Sequence, residues 1–250
     1  MKKLTFLTLI CSLFVVSLYP ISAKKDAQRP KGLEDKGPLT KITFIHYKKN
    51  NVKPPGVGGG KKDKDSQCYT FLSKGAKWKT TEDYEIDADN PDGLVDQFVR
   101  DAVELGVSEW EQYGGEAIFG NSSWGEVIGE WDAYDEKNTV SFGDYGDSRV
   151  IAVTNIWGYF GGPPGKRELV EWDMLFNTGG DWTWGDADLN SSLMDLQNIA
   201  THELGHSAGM GDLYDTACDL ETMYGYSEKG DMVKRDLYNG DIVGIENLYK

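Results

Sequence analysis

At 250 residues the chain is long enough for one catalytic domain plus a short additional segment. A formal net charge of −15 argues against a nucleic-acid binder, because phosphate contacts need clustered Lys and Arg. The 8 Trp and 13 Tyr supply large apolar bodies for a core, which argues against wholesale disorder.

The N-terminus reads as a targeting segment. Lys2 and Lys3 form a positive n-region, residues 4–19 are an almost unbroken apolar run, and Pro20-Ile21-Ser22-Ala23 ends on a small residue suited to cleavage. Residues 1–23 are therefore expected to be a signal peptide and the product to be secreted. The alternative is an uncleaved N-terminal membrane anchor, although the run is short for a spanning helix. Cys11 follows Ile10, where a lipoprotein signal would need a small residue, which argues against lipidation. No later segment has the length and apolarity to span a bilayer, so no stable membrane insertion is expected after cleavage. Removing the segment leaves Cys68 and Cys218. In an oxidising compartment this pair is expected to form one disulfide, with free or regulatory thiols as the alternative.

Residues 24–67 are lysine-rich and punctuated by Pro54-Pro55 and Gly58-Gly59-Gly60, as in an extended arm or linker. Within them Ile42-Thr43-Phe44-Ile45-His46-Tyr47 alternates like a strand. A composition shift near Ser66 places a domain boundary there, with a globular domain over 68–250. Residues 78–87 suit a first strand, with Tyr84 and Ile86 on one face. Asn90-Pro91-Asp92 then offers a helix start. The helix should run to about Tyr113, bury Val95, Phe98, Val99, Ala102, Val103 and Trp110, and end at Gly114-Gly115. Strands follow over 139–145, 149–157 and 168–177, the last with nearly strict period two. A Gly-, Trp- and Asp-rich loop leads to a helix over 193–207, capped by Ser191 or Ser192. These elements give a twisted sheet over two helices.

Residues 202–212 read His-Glu-Leu-Gly-His-Ser-Ala-Gly-Met-Gly-Asp. Two histidines four apart share one helical face and can reach one Zn²⁺, with the glutamate beside the metal-bound water. Gly209 permits a sharp turn that returns Asp212 as a third ligand. Catalytic zinc sites keep three protein ligands and leave the fourth position to water. Zinc lowers that water's pKa, and Glu203 can take its proton and pass it to the leaving amine. The bland alternative is a helix whose histidines merely hydrogen-bond in the core. A second enzymatic version takes the third ligand from Asp215 or Glu221. The non-enzyme alternative is an exported binding or envelope-associated protein with a structural zinc site, which would lack the base or supply a fourth protein ligand.

His202 to Asp212 resembles the metzincin signature H-E-x-x-H-x-x-G-x-x-H/D, with aspartate where most members carry a third histidine. Downstream, Glu221-Thr222-Met223-Tyr224-Gly225-Tyr226 resembles the Met-turn, with Met223 beneath the metal. Lys77-Trp78-Lys79, Val150-Ile151-Ala152-Val153-Thr154, the strand 168–177 with Trp182 after it, and residues 240–249 extend the similarity to the matrixin-like branch, especially its secreted prokaryotic members. The resemblance covers roughly 68–250. It implies an α+β zincin domain: a twisted, mixed five-stranded sheet packed on a long N-terminal helix and the zinc-binding helix, with a C-terminal helix. The implied activity is that of a zinc metalloendopeptidase, a hydrolase acting on protein or peptide substrates, and a monomer is expected. It also implies that 149–157 is an exposed edge pairing with an extended peptide, and that Tyr226 supports the oxyanion, against ordinary packing.

The chain departs from the vertebrate pattern in lacking a Pro-Arg-Cys-Gly latency motif and any histidine for a second zinc. The arm could still act as a propeptide, with His46 or Cys68 capping the zinc. Ca²⁺, which stabilises many matrixins, is a second candidate ion for Asp87-Ala88-Asp89, Asp144 to Asp147 and Asp181 to Asp188. None of these fits a defined calcium-loop spacing, and solvated turns are the ordinary alternative.

Overall fold

The computed structural model describes residues 36–49, 68–87, 89–90, 92–115, 117–125 and 131–250. Residues 1–23, expected to be a signal peptide, the rest of the arm at 24–35 and 50–67, and Ala88, Pro91, Glu116 and 126–130 lie outside the described residues.

The described elements in chain order are β1 (Leu39–Lys48), β2 (Tyr84–Asp87), α1 (Asp96–Gly114), β3 (Ser122–Gly125), β4 (Asn138–Gly143), β5 (Val150–Tyr159), β6 (Glu168–Asn177), β7 (Trp184–Gly185), β8 (Met194–Asp195), α2 (Leu196–Ser207), β9 (Tyr226–Ser227) and α3 (Asn239–Tyr249). One sheet runs β3-β2-β4-β6-β5-β1-β9. Its first five strands are the mixed five-stranded sheet of the zincin resemblance. β3, β2, β4 and β6 run parallel to their neighbours, and β5 is antiparallel to β6.

Two further strands extend it. The alternating segment of the arm is β1, paired antiparallel with β5 from Leu39↔Tyr159 to Tyr47↔Val150. On its far side Tyr47 and Lys48 pair parallel with Tyr226 and Ser227 of β9. The β5 edge expected to be exposed is therefore covered, because an open edge of unpaired N–H and C=O groups recruits any extended segment of matching pattern that can reach it.

α1 and α2 pack against each other, with Gly106 of α1 close to Thr201 and Leu204 of α2. Val99, Ala102, Val103, Val107 and Trp110 recur at helical spacing and are buried. Burying each such valine contributes about 1.5–3 kcal/mol. The helix starts at Asp96, later than the Asn90-Pro91-Asp92 signal suggests. The Asn90 side chain instead accepts from Leu94 N at 2.8 Å, closing a local turn that uses up its capping oxygen. Val95 becomes the N-cap and is 71% exposed, not core. Residues 78–83 likewise do not extend β2; among them the Trp78 indole turns in to donate to Ser207 O at 2.7 Å. At α2, neither Ser191 nor Ser192 caps. Asp195 does, accepting from Asn198 N at 2.8 Å while also receiving Ala187 N and the Arg235 guanidinium.

β6 is central, and its apolar alternation is buried on both faces. Val170, Trp172, Met174 and Phe176 alternate with Leu169, Glu171, Asp173 and Leu175, so two carboxyls of the second set are buried with them. No described helix is long and apolar enough to cross a membrane.

Candidate active site

The site stands on α2, fixed by its Asp195 cap, and His202, Glu203 and His206 are all buried. His202 Nδ1 lies 2.6 Å from Thr222 O, and His206 Nδ1 lies 3.1 Å from Met210 O. A carbonyl oxygen can only accept, so each Nδ1 carries the proton and each Nε2 presents a lone pair.

After α2 the chain reverses at Gly209, whose φ is +101°. That conformation is costly for a residue with a Cβ, and a Cβ there would sit 2.5 Å from Ala76 O. The reversal brings Asp212 back so that its Oδ1 is 3.4 Å from His202 Nε2 and 3.3 Å from His206 Nε2. Its other oxygen accepts from the Tyr214 hydroxyl at 3.0 Å. His202 Nε2 is buried without a hydrogen-bond partner. With both imidazoles neutral, two nitrogen lone pairs and a carboxylate oxygen thus converge, an arrangement that a shared metal ion would satisfy and that, without one, a proton on His206 satisfies in part. The ligand atoms of His202, His206 and Asp212 all lie within 4.8 Å of one another, a group that could hold a metal ion.

Burial alone would raise the Asp212 carboxyl, but the His206 and His202 imidazoles hold it well below the usual range. His206 is drawn up against its burial by Asp212, whereas burial, with Lys234 nearby, pushes His202 down to about 3.

Glu203 faces the same space. Its Oε2 accepts from Thr154 Oγ1 on β5 at 2.6 Å, and its Oε1 is 3.2 Å from His46 Nδ1. Burial raises its carboxyl to about 7, opposed by His206 and by the Thr154 hydrogen bond.

Met223 is fully buried beneath the helix. A Cβ on Gly205 would lie 2.2 Å from Met223 Sδ and 2.5 Å from Trp110 Cζ2, so glycine in the motif lets the turn and α1 close in. The turn is tied to the segment that follows Asp212 by Leu213 N→Met223 O and Gly225 N→Leu213 O, both 2.8 Å. Asp241 of α3 receives Thr222 N at 2.5 Å and Met223 N at 3.2 Å. The carbonyl that orients His202 is therefore itself anchored. Cys68 and Cys218 form a disulfide with a Cα–Cα distance of 5.5 Å, tying the loop between Asp212 and Met223 to the start of the domain.

Other sequence candidates lie elsewhere. Asp215 caps a short turn at Ala217 N, and Glu221 accepts from Gly240 N and Asp241 N, so neither joins the group. Tyr226 stacks edge-on with Tyr214 and Tyr224, outside hydrogen-bond contact with Glu203 or Asp212 among the described contacts. Three residues at the site escaped the sequence reading. Thr154 belongs to the strand expected over 149–157 and Tyr214 stands two positions beyond Asp212, so both carried a weak signal. Lys234 carried none: it is buried, and its ammonium donates to Tyr224 O and lies 3.2 Å from His46 Nε2.

A sheet with one antiparallel strand, a two-histidine helix, a glycine reversal and a methionine turn define a zinc metallopeptidase of the zincin type. Residues 77–250 match the matrixin peptidase family model, and the chain belongs to that family of zinc-dependent endopeptidases. Among curated proteins, none matches the chain significantly.

Proposed function

We propose that the protein is a secreted zinc endopeptidase in which His202, His206 and Asp212 hold the metal and Glu203 is the general base. The observation that carries this is the convergence of two Nε2 lone pairs, fixed by their Nδ1–H donors, on one oxygen of Asp212. Zinc, when bound, supplies Lewis-acid polarisation of the scissile carbonyl and acidifies water. Glu203 takes the proton of the attacking water and returns it to the leaving amine, a role worth about 10²–10⁴ in rate. Burial holds its proton affinity near neutrality, which suits both halves of that task. Thr154 holds Oε2, and Oε1, which faces His46, is the oxygen that would take the proton once that contact is released. Tyr214 holds one Asp212 oxygen and turns the other toward the histidines. The disulfide and the N-terminal apolar run support export.

The metal-loaded Glu203→Gln protein should keep one zinc per chain by elemental analysis while casein cleavage falls by about 10²–10⁴. A chelator should abolish cleavage by the parent. A metallated, processed parent inert on casein and gelatin would overturn the reading.

A further inference from the structure

The polarity and contacts of β1 carry an inference that rests on the peptidase reading of the same site. β1 lies between β5 and β9, antiparallel to one and parallel to the other. Its alternate side chains meet the active-site helix. The Phe44 ring stacks on His206 with centroids 3.8 Å apart and an interplanar angle of 10°. The His46 ring lies 4.0 Å from that of His202. Between Glu203 Oε1 and the Lys234 ammonium, His46 has one consistent hydrogen-bonding state: Nδ1–H donates to the carboxylate and Nε2 accepts from the ammonium. With Thr154 on Oε2, both oxygens of Glu203 are then engaged.

One face of β1 packs inward, with Ile42 and Phe44 against the core and His46 buried, and the other faces solvent. Leu39, Thr40, Lys41, Thr43 and Lys48 are exposed. Its ends and outer face are held by polar clasps: Lys36 Nζ on Glu168 Oε2 at 2.5 Å, Lys41 Nζ on Asp132 O at 3.1 Å, and Lys49 Nζ on Glu228 Oε1 at 2.9 Å. The Lys41 and Lys49 clasps are exposed and individually weak, and that of Lys36 is part-buried. A peptide adding to the β5 edge would need the same backbone groups that β1 occupies.

We propose that β1 is an intramolecular inhibitor that fills the peptide channel, with His46 capturing the general base and Phe44 covering His206. Latency then needs no thiolate: the arm occludes by β-strand addition and by engaging Glu203.

The test uses the full zinc-loaded chain and a Phe44→Asp/His46→Ala double variant, with intact mass confirming that residues 36–49 remain attached in both. A fluorescent peptide hydroxamate reports access to the channel by polarisation, and a quenched peptide reports turnover. Hydrogen exchange of residues 39–48 reports docking of the strand. The parent should protect 39–48, and the variant should bind the probe and turn over peptide at least tenfold better. A gain below tenfold in both, with 39–48 exchanging freely in the variant, would overturn the proposal, as would a parent lacking protection at 39–48. A tenfold gain in probe binding with no turnover by either protein upholds occlusion and counts against the peptidase reading. Should the double variant lack a cooperative melting transition, His46→Gln alone carries the same comparison.

Discussion

Replacing Gly209 by alanine tests whether the reversal after α2 positions Asp212, the proposed third ligand. The residue has φ +101°, and the added Cβ would meet the Ala76 carbonyl oxygen at 2.5 Å and Leu248 Cδ2 at 3.2 Å. The carbonyl belongs to backbone and cannot rotate aside. The left-handed conformation costs an alanine about 1–3 kcal/mol and overpacking against a fixed neighbour costs about 1–3 more. A combined loss of about 2–6 kcal/mol lowers the melting temperature of a domain this size by about 4–24 °C. Asp212 lies three residues on, so misplacing the turn should also weaken zinc binding by about 10–100-fold, the usual effect of disturbing groups that orient a ligand. Gly165→Ala is the control, because nothing lies within 4 Å of its Cβ position. Scanning calorimetry of both proteins, with zinc affinity from competition against a chromogenic chelator, reads both effects. A Gly209→Ala protein that melts within about 2 °C of the control and holds zinc equally would refute the reasoning.

Two further outcomes follow from other parts of the structure. The Cys68–Cys218 bond spans a sequence separation of 150, and in the chain-entropy view its closure is worth about 5 kcal/mol. Cys218→Ser should therefore unfold at clearly lower urea with weakened zinc affinity, and unchanged values of both would count against a role in holding Asp212 and Met223 in register. Asp173 is buried on β6 with one oxygen receiving Thr139 Oγ1 at 2.5 Å and the other unpartnered, and burial pushes its carboxyl up from 3.8 to about 8. The folded state thus keeps a proton that the unfolded chain releases, so this group makes stability fall as pH rises from about 4 to about 8. Asp173→Asn should flatten that slope, as measured by urea unfolding across the range, and a slope equal to the parent's would refute the assignment.

Much of this was legible in the linear pattern because it depends on local geometry. The i, i+4 spacing of His202 and His206 sets their shared face whatever surrounds the helix. The period-two alternation of 168–177 gave β6 its full extent, and the 3.6-residue stripe of α1 gave its core face. Misplacements occurred where a side chain had two local uses. Asn90 spent its oxygen on a turn at Leu94 rather than on α1, and Asp195, unremarkable in sequence, took the cap from the serines because Ala187 N and Arg235 converge on it only in the folded chain. Glu171 and Asp173 broke the apolar pattern of β6 yet are buried, since the loop before β4 supplies Asp135 N and Glu136 N to Glu171 and Thr139 of β4 bonds Asp173.

The sequence by itself determined the candidate set: His202, Glu203, His206, the reversal at Gly209, and Asp212 within reach, all inside eleven consecutive residues where helix geometry dictates direction. It also marked Ile42 to Tyr47 as strand-like. Only the tertiary structure decided where that strand docks, because antiparallel pairing joins backbone groups separated by more than a hundred positions. The same long-range closure brought Thr154, Tyr214, Lys234 and His46 around one carboxylate and its neighbouring imidazoles. Side-chain spacing fixed the chemistry, and the open edge of β5 fixed what covers it.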